Sequence, residues 1–380
     1  MKQYNLKAVI GAGAGDEGKG NMTSYFCGVP GRTLGVLTNG GPQRGHTAAC
    51  GKRRHVFSHF SSGTFKGART YFAPSFMISP MQFSREYRQL TAMGAAPVFH
   101  MDRDCRFTTP YDMLVNQKVH QAQGTHGTCG MGIWETYKRY AGGEGLTVGA
   151  YMAMTEVQRY RYLDQIRAGA LARLADMGTP EQMREALALA GDERLLVNFM
   201  EDLEDMAALT EEGGLCGPEI LLSYDNVVFE NGQGLILDWS DDEEKAVYTT
   251  PSRTGLAAVS SLVEQVFSGQ SVEVCYVTRS YQTRHGDGPM DGECPREELG
   301  RGVRELTNQT NPFQGHFRFG RLEVEGLHER IRRDFGDRGS RNTYKKSIAV
   351  THLDQMDMSE ELREETLLYG ERYLVSRPDL

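Results

Sequence analysis

Short, almost wholly apolar runs recur along the chain at Lys7–Ile10, Thr33–Leu37, Asn226–Phe229, Val272–Val277 and Ser347–Val350. Strands that are apolar on both faces belong to a parallel sheet covered by helices on each side. Between them the apolar period lengthens, most plainly over Thr155–Met177, Pro180–Ala190 and Glu193–Leu209, which predicts helices. Strands alternating with helices predict an α/β chain with a large, mainly parallel central sheet flanked by helices. The 380 residues read as one domain, 1–380, with the helix-rich stretch 151–210 as an insertion or subdomain whose Leu, Ala and Met spacing serves packing. His59 to Gly63 reads as a turn, Ala73 to Pro80 as a buried strand, and Ser240 to Lys245 as an exposed loop.

Charge and composition narrow the setting. A net charge of −8 offers no global basic surface for nucleic acid. There is no leader pattern and no apolar run near about eighteen residues, so neither export nor a membrane span is expected. Seven scattered cysteines without C-x-x-C spacing predict reduced thiols in a cytoplasmic setting and no zinc site.

Candidate chemistry begins where the first run ends. Residues 11–20 read Gly-Ala-Gly-Ala-Gly-Asp-Glu-Gly-Lys-Gly, with a helix expected behind them. Clustered glycines let backbone N–H groups converge on an anion, and a helix N-terminus adds its positive end. Gly13-x4-Gly18-Lys19 fits the phosphate-loop spacing, except that Gly20 stands where Ser or Thr would hold Mg2+. Asp16 is then the metal ligand in reach. Gly13, Gly15 and Gly18 also fit the dinucleotide spacing, but the second run ends in Thr38-Asn39, without the acid that fold requires. A tight structural turn is the third reading.

A second glycine-rich turn, Asn39-Gly-Gly-Pro-Gln-Arg-Gly-His-Thr47, follows the second run. His46 there can donate a proton or hydrogen bond to an oxygen gaining negative charge, or simply sit exposed in a turn. Gly124 to Ile133 is a third such turn, with hydroxyls suited to a nucleoside monophosphate. In Phe229-Glu-Asn-Gly-Gln-Gly234, Gln233 carries the donor–acceptor pair that reads a purine's O6 and N1. Tyr281 to Pro289 and Asn311 to Gly320 are loops with arginine, and Arg318 can fork onto a carboxylate. Thr351-His-Leu-Asp354 ends the last run with a carboxylate that can accept from guanine N1–H and N2–H, helix capping being the plainer alternative.

Taken together and in order, G-D-E-G-K-G, G-x-x-x-G-H-T, the Gly-Thr-x-Gly turn, F-E-x-x-Q-G, T-R-x-G-x-G-P and T-x-L-D resemble the adenylosuccinate synthetase family, from Gly11 to about Ser376. The resemblance implies a homodimeric ligase using GTP, Mg2+ and L-aspartate, with Asp16, Lys19, His46 and Gln233 catalytic. GTP would meet Gly15, Glu17, Gly18, Lys19, Gly20, Gly45, His46, Thr47, His352, Asp354 and Ser376, and Mg2+ would meet Asp16 and Gly45. The acceptor nucleotide would meet Asp16, Asn39, Gln43, Thr128, Asn231, Gln233, Thr249 and Thr250. An arginine from the partner subunit would join them, Arg139 being the nearest candidate in this chain. L-Aspartate would meet Gln314, Gly315 and Arg318.

The departures point further. Gln43-Arg-Gly-His-Thr47 stands for the usual N-A-G-H-T, Gly13-Ala14 for Q-W, Gln314 to Arg318 for a longer arginine-rich loop, and Thr351-His-Leu-Asp354 for T-K-x-D. These features resemble the archaeal and phage branch, in which a phage relative takes deoxyguanylate instead of inosinate. Such phage enzymes put Ser at the position of Asp16 and use ATP; keeping Asp16 and Asp354 implies a phage-like acceptor site beside a GTP-type donor site. The expected product is N6-succino-2-amino-2′-deoxyadenylate, made in the cytoplasm, the host's if the chain is phage-encoded. IMP is the alternative acceptor, and a catalytically silent nucleotide-binding regulator the alternative class.

Overall fold

A computed structural model describes residues 2–123, 128–209, 215–239, 248–305, 308, 313–336 and 340–375. In chain order the strands are β1 (Asn5–Gly11), β2 (Thr33–Leu37), β3 (His46–Cys50), β4 (Arg53–Phe57), β5 (Arg69–Phe72), β6 (Met77–Ile78), β7 (Phe99–Met101), β8 (Arg106–Phe107), β9 (Asn226–Glu230), β10 (Ser271–Arg279), β11 (Gln282–His285), β12 (Phe317–Gly320), β13 (Thr343–Thr351) and β14 (Glu371–Leu374). Eight of them form one sheet in the order β14-β13-β10-β1-β9-β2-β5-β7. Every neighbouring pair is parallel.

The five expected runs all lie in this sheet, at or near its centre. Alternate residues of β1 enter opposite layers, as strand geometry requires. Ala8 and Ile10 join Val227, Phe229, Val274 and Ile348 under the helices Leu256–Val266 and Val324–Phe335. Val9 joins Val228, Cys275, Val277 and Ala349 under helix α1 (Lys19–Cys27). β5 and the two edge strands, β7 and β14, are four, three and four residues long and carry no comparable run. Of Ala73 to Pro80, only Met77–Ile78 is strand, and it pairs with Arg106–Phe107 outside the main sheet.

The helical stretch spans Glu156–Asp176, Pro180–Gly191 and Glu193–Ala208. Capping boxes start the first two, Thr155 with Gln158 and Thr179 with Gln182. Leu163, Leu174, Phe199 and Leu203 pack into the same apolar cluster as Phe60, Phe72, Phe83 and Phe99, so these helices close one end of the sheet. The loop read at Ser240 to Lys245 lies outside the described residues.

The carboxyl ends of β1, β9, β10 and β13 therefore converge where the chain's progress across the sheet reverses, the place where open α/β sheets hold ligands. Packing there is tight. Gly35 in β2 has no room for a side chain, because a Cβ would overlap Ser61. Gly35→Ala is expected to destabilise the fold by about 1–3 kcal/mol through overpacking. Urea denaturation checks this, and an unchanged midpoint would contradict it.

Candidate active site at the carboxyl ends of the central strands

Backbone strain marks the site. Among the described residues the only non-glycine positions with positive φ are Asp16 (61°), Gln233 (57°) and His352 (61°). They follow the ends of β1, β9 and β13. Such conformations cost about 1 kcal/mol or more each and persist only where neighbours fix them. The Asp16 carbonyl accepts from Arg279 Nε at 2.6 Å. Thr351 beside His352 donates to the Glu17 carbonyl at 2.8 Å. The Gln233 turn is held by Asn39, whose Oδ1 accepts from Gly232 N at 2.8 Å, and by Asn231, whose amide donates to the Thr254 and Gly255 carbonyls. Both asparagines were expected to touch the nucleotide. They are buried and spent inside the protein, so they aim Gln233 instead.

The glycine loop encloses an anion of its own. Gly13 and Gly15 donate their N–H groups to Glu17 Oε1 at 3.0 and 2.8 Å, and Glu17 Oε2 pairs with Lys19 Nζ at 2.5 Å. A Cβ at Gly13 would come within 3.1 Å of this carboxylate, and one at Gly234 within 2.7 Å. These N–H groups therefore do not cradle a phosphate, and that part of the phosphate-loop expectation gives way. The helix start remains: Gly18 (φ 90°) precedes α1 without a side-chain cap, leaving first-turn N–H groups for an anion. Gly20 lacks the usual hydroxyl because a Cβ there would overlap the Thr47 carbonyl.

Behind His46 lies a buried charge cluster that the sequence did not disclose. Glu230 Oε1 meets Arg44 Nη2 at 2.7 Å and His46 Nδ1 at 2.8 Å, while Ser62 donates its hydroxyl at 2.5 Å and its N–H to Oε2 at 3.1 Å. A carboxylate at that distance fixes the imidazole proton on Nδ1, so Nε2 is the nitrogen left for a ligand. Burial, reinforced by the Arg44 charge, lowers His46 to about 3. Glu230 falls to about 2; its burial is outweighed by Arg44, His46 and Ser62. Burial pushes the Asp16 carboxyl upward, against the pull of His285, Arg279 and Lys19.

Two cavities open on these groups. One of about 330 Å3 is lined by Gly15, Gln43, Arg44, Thr128, Gln233, Thr249, Thr250 and Gln314. The other, about 370 Å3, is lined by Glu17, Gly18, Gly20, Thr47, Arg279, His352 and Gln355. Asp16, Lys19, Gly45, His46 and Asn308 line both, so the chambers meet at these residues.

Several expected contacts lie elsewhere. Arg139 is buried against Asp112 at 2.8 Å and donates to the Phe107 carbonyl and Tyr162, so it is not free to serve another subunit. Arg318 is forked onto Glu293 and donates to the Gly286 and Gly288 carbonyls; Arg284 reaches the first cavity instead. Gly315 lines neither cavity. Asp354 is exposed in a turn outside the second cavity and caps no helix, the next one starting behind Ser359. Ser376 and Gly124 to Gly127 lie outside the described residues.

The adenylosuccinate synthetase family model matches residues 8–363. Adenylosuccinate synthetase of Halobacterium salinarum is 25% identical over 364 residues, covering 91% of this chain and 77% of that protein. The fully ligated Plasmodium falciparum adenylosuccinate synthetase superposes with a TM-score of 0.66 at 17% identity, covering 92% of this chain and 77% of its own. Cyanophage S-2L succinoaminodeoxyadenylate synthetase, bound to dGMP and dATP as energy donor, superposes with a TM-score of 0.65 at 14% identity, covering 99% and 94%.

The buried histidines set an acid limit on stability. Burial lowers His46 to about 3, His59 to about 4 and His352 to about 2. The unfolded chain takes up these protons near pH 6.5 and the folded chain does not. Stability is thus full above about pH 6.5 and falls below it by roughly 1.4 kcal/mol per histidine per pH unit. Glu230, lowered to about 2, adds a loss of the same sign in stronger acid. Urea midpoints at pH 7.5, 6 and 5 should fall in that order; equal midpoints would mean the imidazoles are not held neutral.

Proposed function

Since the chain belongs to the adenylosuccinate synthetase family and is a carbon–nitrogen ligase, we propose that it joins L-aspartate to C6 of dGMP at the expense of GTP, in a homodimer. The observation that carries this reading is the meeting of two nucleotide-sized cavities at Asp16, Lys19 and His46. A purine C6 oxygen is a poor leaving group, and phosphorylating it requires acceptor and donor to touch at one point.

Asp16, whose buried carboxyl is pushed toward higher proton affinity, takes the N1 proton. O6 then bonds to the γ-phosphorus as the bond to GDP breaks. Lys19 neutralises the transferring group, and His46 Nε2 gains proton affinity beside phosphate and becomes a donor to it. The aspartate amine next attacks C6 and phosphate leaves with O6. Gln233, with its Oε1 buried and unpartnered, orients the base. Thr128, Thr249, Thr250 and Gln43 line the cavity that takes the nucleotide, while Arg284 and Gln314 face L-aspartate.

Mg2+ fits the residues present. Among the described residues no three His, Cys, Asp or Glu form a metal cluster. Mg2+ on a nucleotide asks for only one or two protein oxygens, which Asp16 and Gly45 at the junction provide. When bound it neutralises phosphate charge.

Two observations favour dGMP over IMP. The turn Gln43-Arg44 departs from the family pattern, and the fold matches 94% of a cyanophage synthetase described with dGMP bound. For the donor, GTP rests on membership of the family, since Asp354 stands outside the second cavity. His352 and Gln355 wall the second cavity and would meet its base.

Phosphate release is expected with L-aspartate, Mg2+, GTP and dGMP, and to drop by at least about a thousandfold in Asp16→Asn. Turnover with IMP alone would overturn the acceptor assignment. Turnover with ATP or dATP and not GTP would overturn the donor assignment.

A further inference from the structure

The two cavities also fix which way the acceptor base must lie. This step rests on the proposed reaction, with Asp16 at N1. N1 of a 6-oxopurine sits between C6, which bears O6, and C2. O6 must point to the junction, where Lys19 and His46 line both chambers. C2 must then point to the opposite side of Asp16, into the part of the first cavity that the donor chamber does not share.

His285 stands there. It lines the first cavity and not the second. Its Nε2 is 3.8 Å from Asp16 Oδ2, too long for a hydrogen bond. Its Nδ1 is buried and has no hydrogen-bond partner. The ring is packed in place: His285 pairs with Phe317 across the antiparallel β11–β12 ribbon, and the two rings meet edge to face at 4.6 Å. A half-buried imidazole packed in this way, near the Asp16 carboxylate but with its Nδ1 unpaired, is placed for a ligand.

We propose that His285 determines acceptor specificity by accepting a hydrogen bond from an amino group on C2 of the purine. A 2-aminopurine nucleotide satisfies the imidazole. A purine with only hydrogen at C2 leaves both the ring nitrogen and its surroundings unpaired. Sites built around a hydrogen bond discriminate strongly against the analogue that lacks it.

The test compares dGMP with dIMP, which share a sugar and differ only at C2. The quantity is the ratio of their kcat/KM values in wild type, His285→Phe and His285→Gln. Both substrates meet the same preparation, so partial misfolding lowers both rates and leaves the ratio alone. His285→Phe is expected to lower the dGMP:dIMP ratio at least about tenfold. His285→Gln, which keeps an acceptor, should lie between. Dissociation constants read from quenching of Trp134, which lines the same cavity, supply the ratio if a variant does not turn over. A ratio within twofold of wild type in both variants overturns the assignment of His285, whichever acceptor wild type prefers. A wild type that prefers dIMP, with a ratio that still moves in the variants, overturns the dGMP reading alone.

Discussion

A carboxylate with no exposure at all, Glu230 at the end of β9, constrains the whole site. An unpaired charge at such depth would cost several kcal/mol, so the surrounding chain is obliged to deliver partners. Arg44 and His46 come from the second glycine-rich turn and β3, and Ser62 comes from the turn beyond β4. That turn is itself fastened by a second buried carboxylate: Glu86 accepts from the N–H groups of Ser58 and His59. His46 thus reaches the junction of the two cavities through charge balance in the interior, two carboxylates removed from the surface.

Strain and support are divided between different residues. The three positions with left-handed backbone present side chains to the cavities, while their neighbours Asn39, Asn231, Arg279 and Thr351 carry the bonds that hold them. An asparagine in a motif is then no guide to contact with ligand. Asn39 and Asn231 belong to the protein interior as fully as Ile10 or Val9 do.

The central sheet was legible because its strands, buried on both faces, leave unbroken apolar runs. β7, three residues long at the edge, leaves no such trace. Asp16, Lys19, His46 and Gln233 were legible because glycines around them announced tight turns. What the glycines could not announce was the identity of the anion: spacing is blind to whether N–H groups face a ligand or, as with Gly13 and Gly15, the chain's own Glu17. Charged side chains were the least legible. Arg139 and Arg318 looked available, yet each found a carboxylate in its own fold, Asp112 and Glu293. Arg44 and Glu230 form their pair across 186 residues of sequence, a distance no local pattern encodes.

The parallel sheet also dictates the timing of assembly. β1 is flanked by β9 and β10, whose contacting residues lie 221 and 266 positions further along the chain. At about 5–20 residues per second on the ribosome, roughly ten seconds to a minute separates synthesis of β1 from that of both neighbours. Throughout that interval the strand and the glycine loop behind it have no sheet to join. Lys7 in the middle of the strand, later matched by Glu273 across the register, guards it against pairing with other chains meanwhile. The loop on which catalysis would turn is made early and becomes structure late.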